Sequence, residues 1–241
     1  MAIVEALQRA QYDGLDQLFV LKGGTAIELR LRHDARMTRD VDATFHGARR
    51  QLEPVLEQAF AEPVSGFTIT ASKPQPIGRT EAVRVTCKLA YRLRPWGTID
   101  LELAIEDRPA TFELVPAFDL TTFGLQGPER VHALPAHVQI AQKLHAVSQR
   151  FEQGDNHRVR DVVDILLLRE FVDGLMLLRA TCVAVFAERA MHPWPPTITI
   201  YEGWELEHQR LCQEIGAAPT NITEAVDEIH GYVRAIDEAS R

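Results

Sequence analysis

In the first half of the chain, apolar residues recur at helical spacing in some stretches and at strict alternation in others; in the second half only the helical spacing remains. Residues 3–18 read as a helix, and Leu18-Phe19-Val20-Leu21 as a short apolar segment running into Gly23-Gly24. Thr25 is placed to cap the next helix, which carries Ile27, Leu29 and Leu31 and ends near His33. Residues 39–45 predict a strand, and 47–60 a helix with Leu52, Val55, Leu56 and Phe60 on one side. Three more strands are expected over 66–72, 81–91 and 98–106, the last two forming a hairpin closed around Pro95-Trp96-Gly97.

From Pro135 the pattern is helical throughout, with elements over 136–151, 158–170, 173–190, 202–215 and 222–238. Gly154-Asp155-Asn156 and Pro193-Trp194-Pro195-Pro196 mark the joints, and Thr220-Asn221 lies near the start of the last helix. No repeat or low-complexity tract interrupts this layout. The fold class expected is α+β: a mixed-sheet domain over 1–130, followed by an all-helical domain over 131–241.

Composition narrows the function classes only a little. A chain of 241 residues with 46% hydrophobic and 25% charged residues is ordinary for a globular protein with a sizeable core. No apolar run approaches the roughly 20 residues that span a bilayer, and the N-terminus lacks a secretory pattern, so a cytoplasmic location without membrane contact is expected. Three scattered cysteines, Cys87, Cys182 and Cys212, suit neither a disulfide framework nor a zinc knuckle. The net charge of −8 argues at first against a nucleic-acid partner. From Glu202 onward, however, nine acidic and three basic residues carry −6 of it, as a solvated helical face or as a partner surface.

The chemistry concentrates in two acidic segments. In Arg39-Asp40-Val41-Asp42-Ala43, strand alternation turns Asp40 and Asp42 the same way. In Thr98-Ile99-Asp100-Leu101-Glu102-Leu103, Ile99, Leu101 and Leu103 share one face and leave Asp100 and Glu102 on the other. Acidic side chains so close together repel unless a cation lies between them, and a divalent metal is the simplest one. The paired glycines upstream would let a phosphate approach the backbone. Taken alone, Asp100 and Glu102 also fit a plainly solvated strand face.

This order of Gly-Gly-Thr, Asp-x-Asp and a later strand acid resembles the polymerase β-like nucleotidyltransferase superfamily. The stretches KGGTAIELRLR and RMTRDVDAT, with Ala141-Gln142-Lys143-Leu144-His145 and Arg160-Asp161-Val162-Val163-Asp164, resemble its AbiEii/AbiGii (MenT-like) type over about residues 20–170. That type contains the toxins of type IV toxin–antitoxin pairs. The resemblance implies that Gly23, Gly24 and Thr25 bind the nucleotide phosphates. Asp40, Asp42 and Asp100 would hold magnesium, as two ions, with Glu102 an open alternative for the third acid. Lys143 would offset charge on the triphosphate, and Asp161 would hold Lys143 or the nucleotide. Gly24 stands where many superfamily members carry serine, so one hydroxyl contact is missing unless Thr25 supplies it.

The resemblance further implies transfer of a nucleoside monophosphate from a nucleoside triphosphate to an RNA hydroxyl, most simply a tRNA 3′ end, in the cleft between the two domains. A cognate antitoxin is the implied protein partner. A small-molecule acceptor such as an aminoglycoside, and a non-catalytic partner-binding member, are the competing readings. Arg84, Lys88 and Arg92 lie opposite the apolar face of strand 81–91 and would bind RNA, with Arg49-Arg50 on the same side. Arg30, Arg32, Arg36 and Arg39 approach the aspartate strand, and no stacked-aromatic RNA motif is visible. Asp164 reads as a buried partner of an arginine. His132, His145 and His157 lack metal-ligand spacing, and Ser148 lacks a base.

Overall fold

The computed structural model describes residues 1–11, 17–32, 40–78, 81–152, 154–216, 219 and 221–239. These residues gather into two compact units that part between Leu134 and Pro135. The helix expected over 3–18 ends at Arg9, where Ala10 turns extended; residues 12–16, together with His33, Arg36, Arg39 and Thr220, lie outside the described residues.

In the first unit the chain runs through α1 (Ala2–Arg9), β1 (Phe19–Leu21), α2 (Gly23–Leu31), β2 (Val41–His46) and α3 (Leu52–Phe60). It continues through β3 (Phe67–Ala71), β4 (Gln75–Pro76), β5 (Val83–Tyr91), β6 (Arg94–Glu106), β7 (Glu113–Pro116) and β8 (Arg130–Ala133). Among the described residues the strands form one sheet in the order β3-β5-β6-β2-β1-β8-β7, with β4 beside β5. The β2–β6 and β1–β8 pairs are parallel and the others antiparallel, so the sheet is mixed, as the pattern implied.

Alternation along the strands explains which face is buried. Ala43 and Phe45 of β2, Leu101 and Leu103 of β6, and Val83, Val85 and Cys87 of β5 are almost wholly inaccessible. They share a core with Ile3, Val4 and Leu7 of α1 and Leu52, Val55 and Leu56 of α3. Phe19 and Phe45 meet there, with ring centroids 5.2 Å apart. Each such aromatic or aliphatic side chain contributes about 1.5–3 kcal/mol by leaving water. Asp42, Thr86, Asp100 and Glu102 occupy the alternate positions and are therefore kept out of this core.

Three local details differ from the sequence reading. Thr25 is not a cap: α2 already begins at Gly23, with Lys22 before it. The β5–β6 hairpin closes at Arg92-Leu93 rather than at Pro95-Trp96-Gly97, and both turn residues have positive φ, 48° and 67°. That is the φ signature of a type I′ two-residue turn, which matches strand twist but usually recruits Asn or Gly. Finally, β7 and β8 carry too little alternation to stand out, yet β8 closes on β1 through the Leu134 N–H, which donates to the Leu21 carbonyl at 2.7 Å.

The second unit is helical: α4 (Ala136–Ser148), α5 (Val159–Leu168), α6 (Leu175–Arg189), α7 (Trp204–Ile215) and α8 (Ile222–Glu238). Asn221 caps α8, accepting from the Thr223 and Glu224 N–H groups at 2.8 and 3.2 Å. Ile222, Val226, Ile229, Val233 and Ile236 form the buried stripe of α8. Acids of the negative tail pair with arginines of this same unit: Glu207 with Arg160, Glu228 with Arg169 and Asp237 with Arg179. All three cysteines are free and buried, and burial pushes the Cys87 and Cys182 thiols up to about 12.

His145 sits in the core of this unit, its ring 4.6 Å from that of His192, with Phe186 edge-on to both. Ser148 does have a histidine partner, in contrast to the sequence reading, with Oγ 2.8 Å from His192 Nε2. The serine proton is committed to the Leu144 carbonyl at 2.5 Å, so the imidazole donates and no nucleophile is generated. His145 Nε2 and His192 Nδ1 are buried without a hydrogen-bond partner among the described residues. Burial, then the Arg189 charge, then His192, lower the His145 pKa to about 4, and burial lowers that of His192.

A histidine whose folded pKa is depressed binds fewer protons folded than unfolded. Its stabilising contribution is complete above the unfolded value near 6.5 and is lost as pH falls towards 4. Urea denaturation should therefore show the protein less stable at pH 5 than at pH 7, by on the order of 1 kcal/mol from His145 once solvent screening is allowed for, with His192 acting in the same direction. His145→Phe should flatten that slope, and an unchanged slope in the variant would remove the pair from the explanation.

Candidate active site

The Lys22-Gly23-Gly24-Thr25 turn is stitched to the Asp40–Asp42 segment by hydrogen bonds. The Lys22 N–H donates to the Asp42 carbonyl at 2.9 Å. Thr25 Oγ1 accepts from the Asp42 N–H at 3.0 Å and donates to the Asp40 carbonyl at 3.3 Å. The Gly24 N–H donates to Asp42 Oδ2 at 3.2 Å. Thr25 thus has a precise backbone role that its misread cap position concealed.

Gly23 is required here by space as well as by its φ of +55°. A Cβ at this position would lie 2.5 Å from Asp42 Oδ2 and 2.8 Å from its Cγ. The Asp42 carboxylate therefore rests against the first turn of α2, where unsatisfied N–H groups and the helix dipole favour negative charge. The glycines expected to cradle phosphate are, in this structure, the seat of Asp42.

Register fixes the neighbouring acids. Asp42 lies directly across from Glu102 in the parallel β2–β6 pair. Asp100 is two residues earlier on the same face of β6, and Asp40 immediately precedes β2. On β5, Thr86 faces Asp100 and donates to its Oδ1 at 2.7 Å, while Arg84 faces Glu102 and reaches its Oε1 at 2.6 Å. Arg84 is also 3.8 Å from Asp100 Oδ2 and within electrostatic reach of Asp40. The hydrogen bond and charge of Glu102 raise the Arg84 pKa further.

This splits the residues expected to bind RNA. Arg84 belongs to the acid row. Lys88 projects from the same strand face nearer the turn, and Arg92 is in the turn itself with its guanidinium 5.2 Å from the Tyr91 ring centre. Arg30 is not on a rim: its side chain is 3% exposed, bonded to Glu113 at 2.5 Å and to the Leu134 carbonyl at 2.6 Å. Arg49 is near Glu81 at 3.7 Å.

In the helical unit, Lys143 on α4 is clamped by two acids of α5, with Nζ 2.7 Å from Asp161 Oδ1 and 2.8 Å from Asp164 Oδ2. Asp164 therefore partners a lysine among the described residues, and its side chain is 1% exposed. Its spacing of three residues from Asp161 puts both carboxylates on one helical face, a signal the sequence did carry. Burial alone would lower the Lys143 pKa, but Asp164 and then Asp161 outweigh it and raise the value, so the ammonium stays charged.

Among the described residues, no three His, Cys, Asp or Glu side chains converge as a closed metal cage. The donors of the sheet unit are hard carboxylate oxygens, and magnesium is typically held by one or two of these while keeping water and phosphate oxygens. Asp40, Asp42, Asp100 and Glu102 thus fit such an ion by donor chemistry.

Comparison with known proteins agrees with this chemistry. The family model described as "Nucleotidyl transferase AbiEii toxin, Type IV TA system" matches residues 5–231. Among solved structures, the nucleotidyltransferase toxin MenT4 from Mycobacterium tuberculosis H37Rv superposes with a TM-score of 0.56 at 16% identity, covering 97% of this chain and 89% of that one. The Megavirus polyadenylate synthase aligns with a TM-score of 0.36 at 9% identity, over 83% of this chain and 34% of that one. A search of curated protein sequences returns no match.

The lysine clamp makes a stability prediction. Lys143→Ala leaves two buried carboxylates facing each other and should cost about 3–5 kcal/mol. Adding Asp164→Asn should restore part of that loss, because one uncompensated charge is removed. Denaturant titration of the single and double variants tests this, and equal stability of Lys143→Ala and wild type would refute the clamp.

Proposed function

We propose that this chain, which belongs to the AbiEii nucleotidyltransferase toxin family of type IV toxin–antitoxin systems, transfers a nucleoside monophosphate to the 3′-terminal hydroxyl of a tRNA. The observation that supports this most directly is the seating of Asp42: glycine-flanked, hydrogen-bonded to the Gly24 N–H, and in register with Glu102 beside Asp100.

In such a transfer the acceptor oxygen bonds to the α-phosphorus, the bond from that phosphorus to pyrophosphate breaks, and the hydroxyl proton passes to a base. Asp40, Asp42 and Asp100 would hold magnesium, with Glu102 the alternative third acid. When bound, the metal neutralises phosphate charge and lowers the pKa of the attacking hydroxyl. The chain's own part is positional. The Gly24 N–H and Thr25 fix where the Asp42 carboxylate stands, so little reorganisation is needed at the moment of reaction. Thr86 orients Asp100 in the same way.

Family resemblance assigns Lys143 and Asp161 to the triphosphate, and the clamp supports a fixed, permanently charged ammonium for that role. Its charge is shared with two carboxylates, so it acts as part of a network rather than as a lone cation. A cognate antitoxin is the protein partner this family implies.

Incubation with each labelled nucleoside triphosphate, magnesium and total tRNA should label RNA with one or more nucleotides. Asp42→Ala should lower transfer by at least a hundredfold while circular dichroism stays near wild type; melting falls modestly, because the Gly24 N–H loses its carboxylate partner while the backbone bonds of Asp42 to Lys22 and Thr25 remain. Wild-type-like labelling by a folded Asp42→Ala protein would overturn the assignment.

A further inference from the structure

The tip of the β5–β6 hairpin is not explained by folding. Its two turn positions have positive φ yet carry Arg92 and Leu93, where glycine or asparagine is the favoured residue. The strand register shifts between Leu89 and Ala90: Leu89 faces Gly97 while Ala90 faces Pro95, so Trp96 is the extra, bulged residue. Trp96 is 69% exposed, and Leu93 89%. Residues held this way against their preferences tend to be kept for what they touch.

The indole is exposed but fixed. Phe67 lies 5.6 Å from it at 87°, and Tyr91 lies 6.1 Å away at 66°. Phe67 and Tyr91 pack on each other at 4.9 Å, and their own strands pair them in register. A side chain this large would normally be buried; here two rings buttress it so that most of its surface stays in water.

Around this aromatic group the cations are also unspent. Arg84, Arg30 and Arg108 are all in ion pairs, whereas Arg92 and Arg94 form none among the described residues. Arg92 is steadied over the Tyr91 ring and Arg94 is exposed beside it. A fixed aromatic plate ringed by free cations is chemically complementary to a base with its flanking phosphates.

We infer that Trp96, with Arg92 and Arg94, forms a stacking site for a single-stranded stretch of the acceptor RNA. The inference rests on the RNA-acceptor reading above and adds to it a place where the strand is gripped. Phe67 and Tyr91 share a strand face with the buried Ile69 and Leu89, so the plate stands at the hairpin end on the core side of the sheet, and a strand bound there turns around that end to reach the acids on the other side. Stacking is sequence-tolerant and requires an unpaired base, so the site selects single-stranded RNA rather than duplex.

The test is binding of labelled oligoadenylate, free and annealed to its complement, to the full chain at several salt concentrations. Wild type should bind the single strand more tightly than the duplex and show quenched tryptophan emission. Trp96→Ala should weaken single-strand binding about tenfold, the usual order for one stacked base, and Trp96→Phe should retain most of it. Arg92→Ala with Arg94→Ala should weaken it further and make the salt dependence shallower by about 0.7 per lost phosphate contact. Nucleoside triphosphate affinity should be unchanged in all three.

If Trp96→Ala binds the oligonucleotide as wild type does, the plate is wrong and the acceptor reading stands. If wild type binds no RNA at low salt, the acceptor reading falls with it. Binding to vesicles of phosphatidylglycerol and phosphatidylcholine but not to RNA, lost in Trp96→Ala, would make the tip a lipid contact and overturn the inference.

Discussion

The fit of the Asp42 carboxylate into the start of α2 governs the sheet unit. It exists because position 23 has no side chain: a methyl group there would overlap the carboxylate at 2.5 Å. That contact joins β1, α2 and β2 into one short block, reinforced by Thr25 from one side and the Lys22 N–H from the other. Pairing of β2 with β6 then sets which acids stand beside Asp42, and pairing of β6 with β5 sets which residues steady those acids. A one-residue slip in either pairing would turn Asp100 and Glu102 into the core and bring leucines to the outer face. The hydrophobic alternation that buries Leu101 and Leu103 is therefore also what holds the acid row in register.

Charge in this molecule is spent in two different ways. In the helical unit Lys143 is buried with two carboxylates, an arrangement whose desolvation cost is offset only while all three partners are present. Such a triad is weak evidence for stability and better evidence for a fixed geometry. On the sheet unit, Arg84 is more exposed and its pairing with Glu102 is correspondingly screened. The two arrangements suit different tasks. A buried clamp keeps one charge in one place, whereas a solvated pair can exchange partners when phosphate oxygens arrive.

The broad plan was legible from the residues. Strict alternation marks β5 and the second half of β6, the apolar stripes mark α3 to α8, and Asp40, Asp42, Asp100 and Glu102 declare themselves by sharing faces. What was not legible has local physical causes. Arg92-Leu93 is a poor sequence for a positive-φ turn, so Pro95-Trp96-Gly97 looked like the better place to close the hairpin. That misplacement shifted the cross-strand register and hid the Arg84–Glu102 and Thr86–Asp100 pairs. It also hid the aromatic group, because Phe67, Tyr91 and Trp96 meet only once the turn and bulge are in place. β7 and β8 are four residues each, too short for periodicity to distinguish them from loop. Asp164 reads as buried from its apolar neighbours Ile165 and Leu166, but only the α4–α5 packing brings Lys143 to it.

Net charge proves a poor guide to what such a chain can bind. At physiological salt an exposed charge is felt over only about 8 Å, so a phosphate group responds to the few side chains around it and not to the sum of −8. Much of the negative surplus lies in the last 40 residues, where acids such as Glu207, Glu228 and Asp237 are already paired with arginines of their own unit. The cations that matter for an anionic ligand are those left without a carboxylate, and among the described residues Lys88, Arg92 and Arg94 are of that kind. A negative total charge is therefore compatible with a local cationic patch beside a rigid aromatic ring.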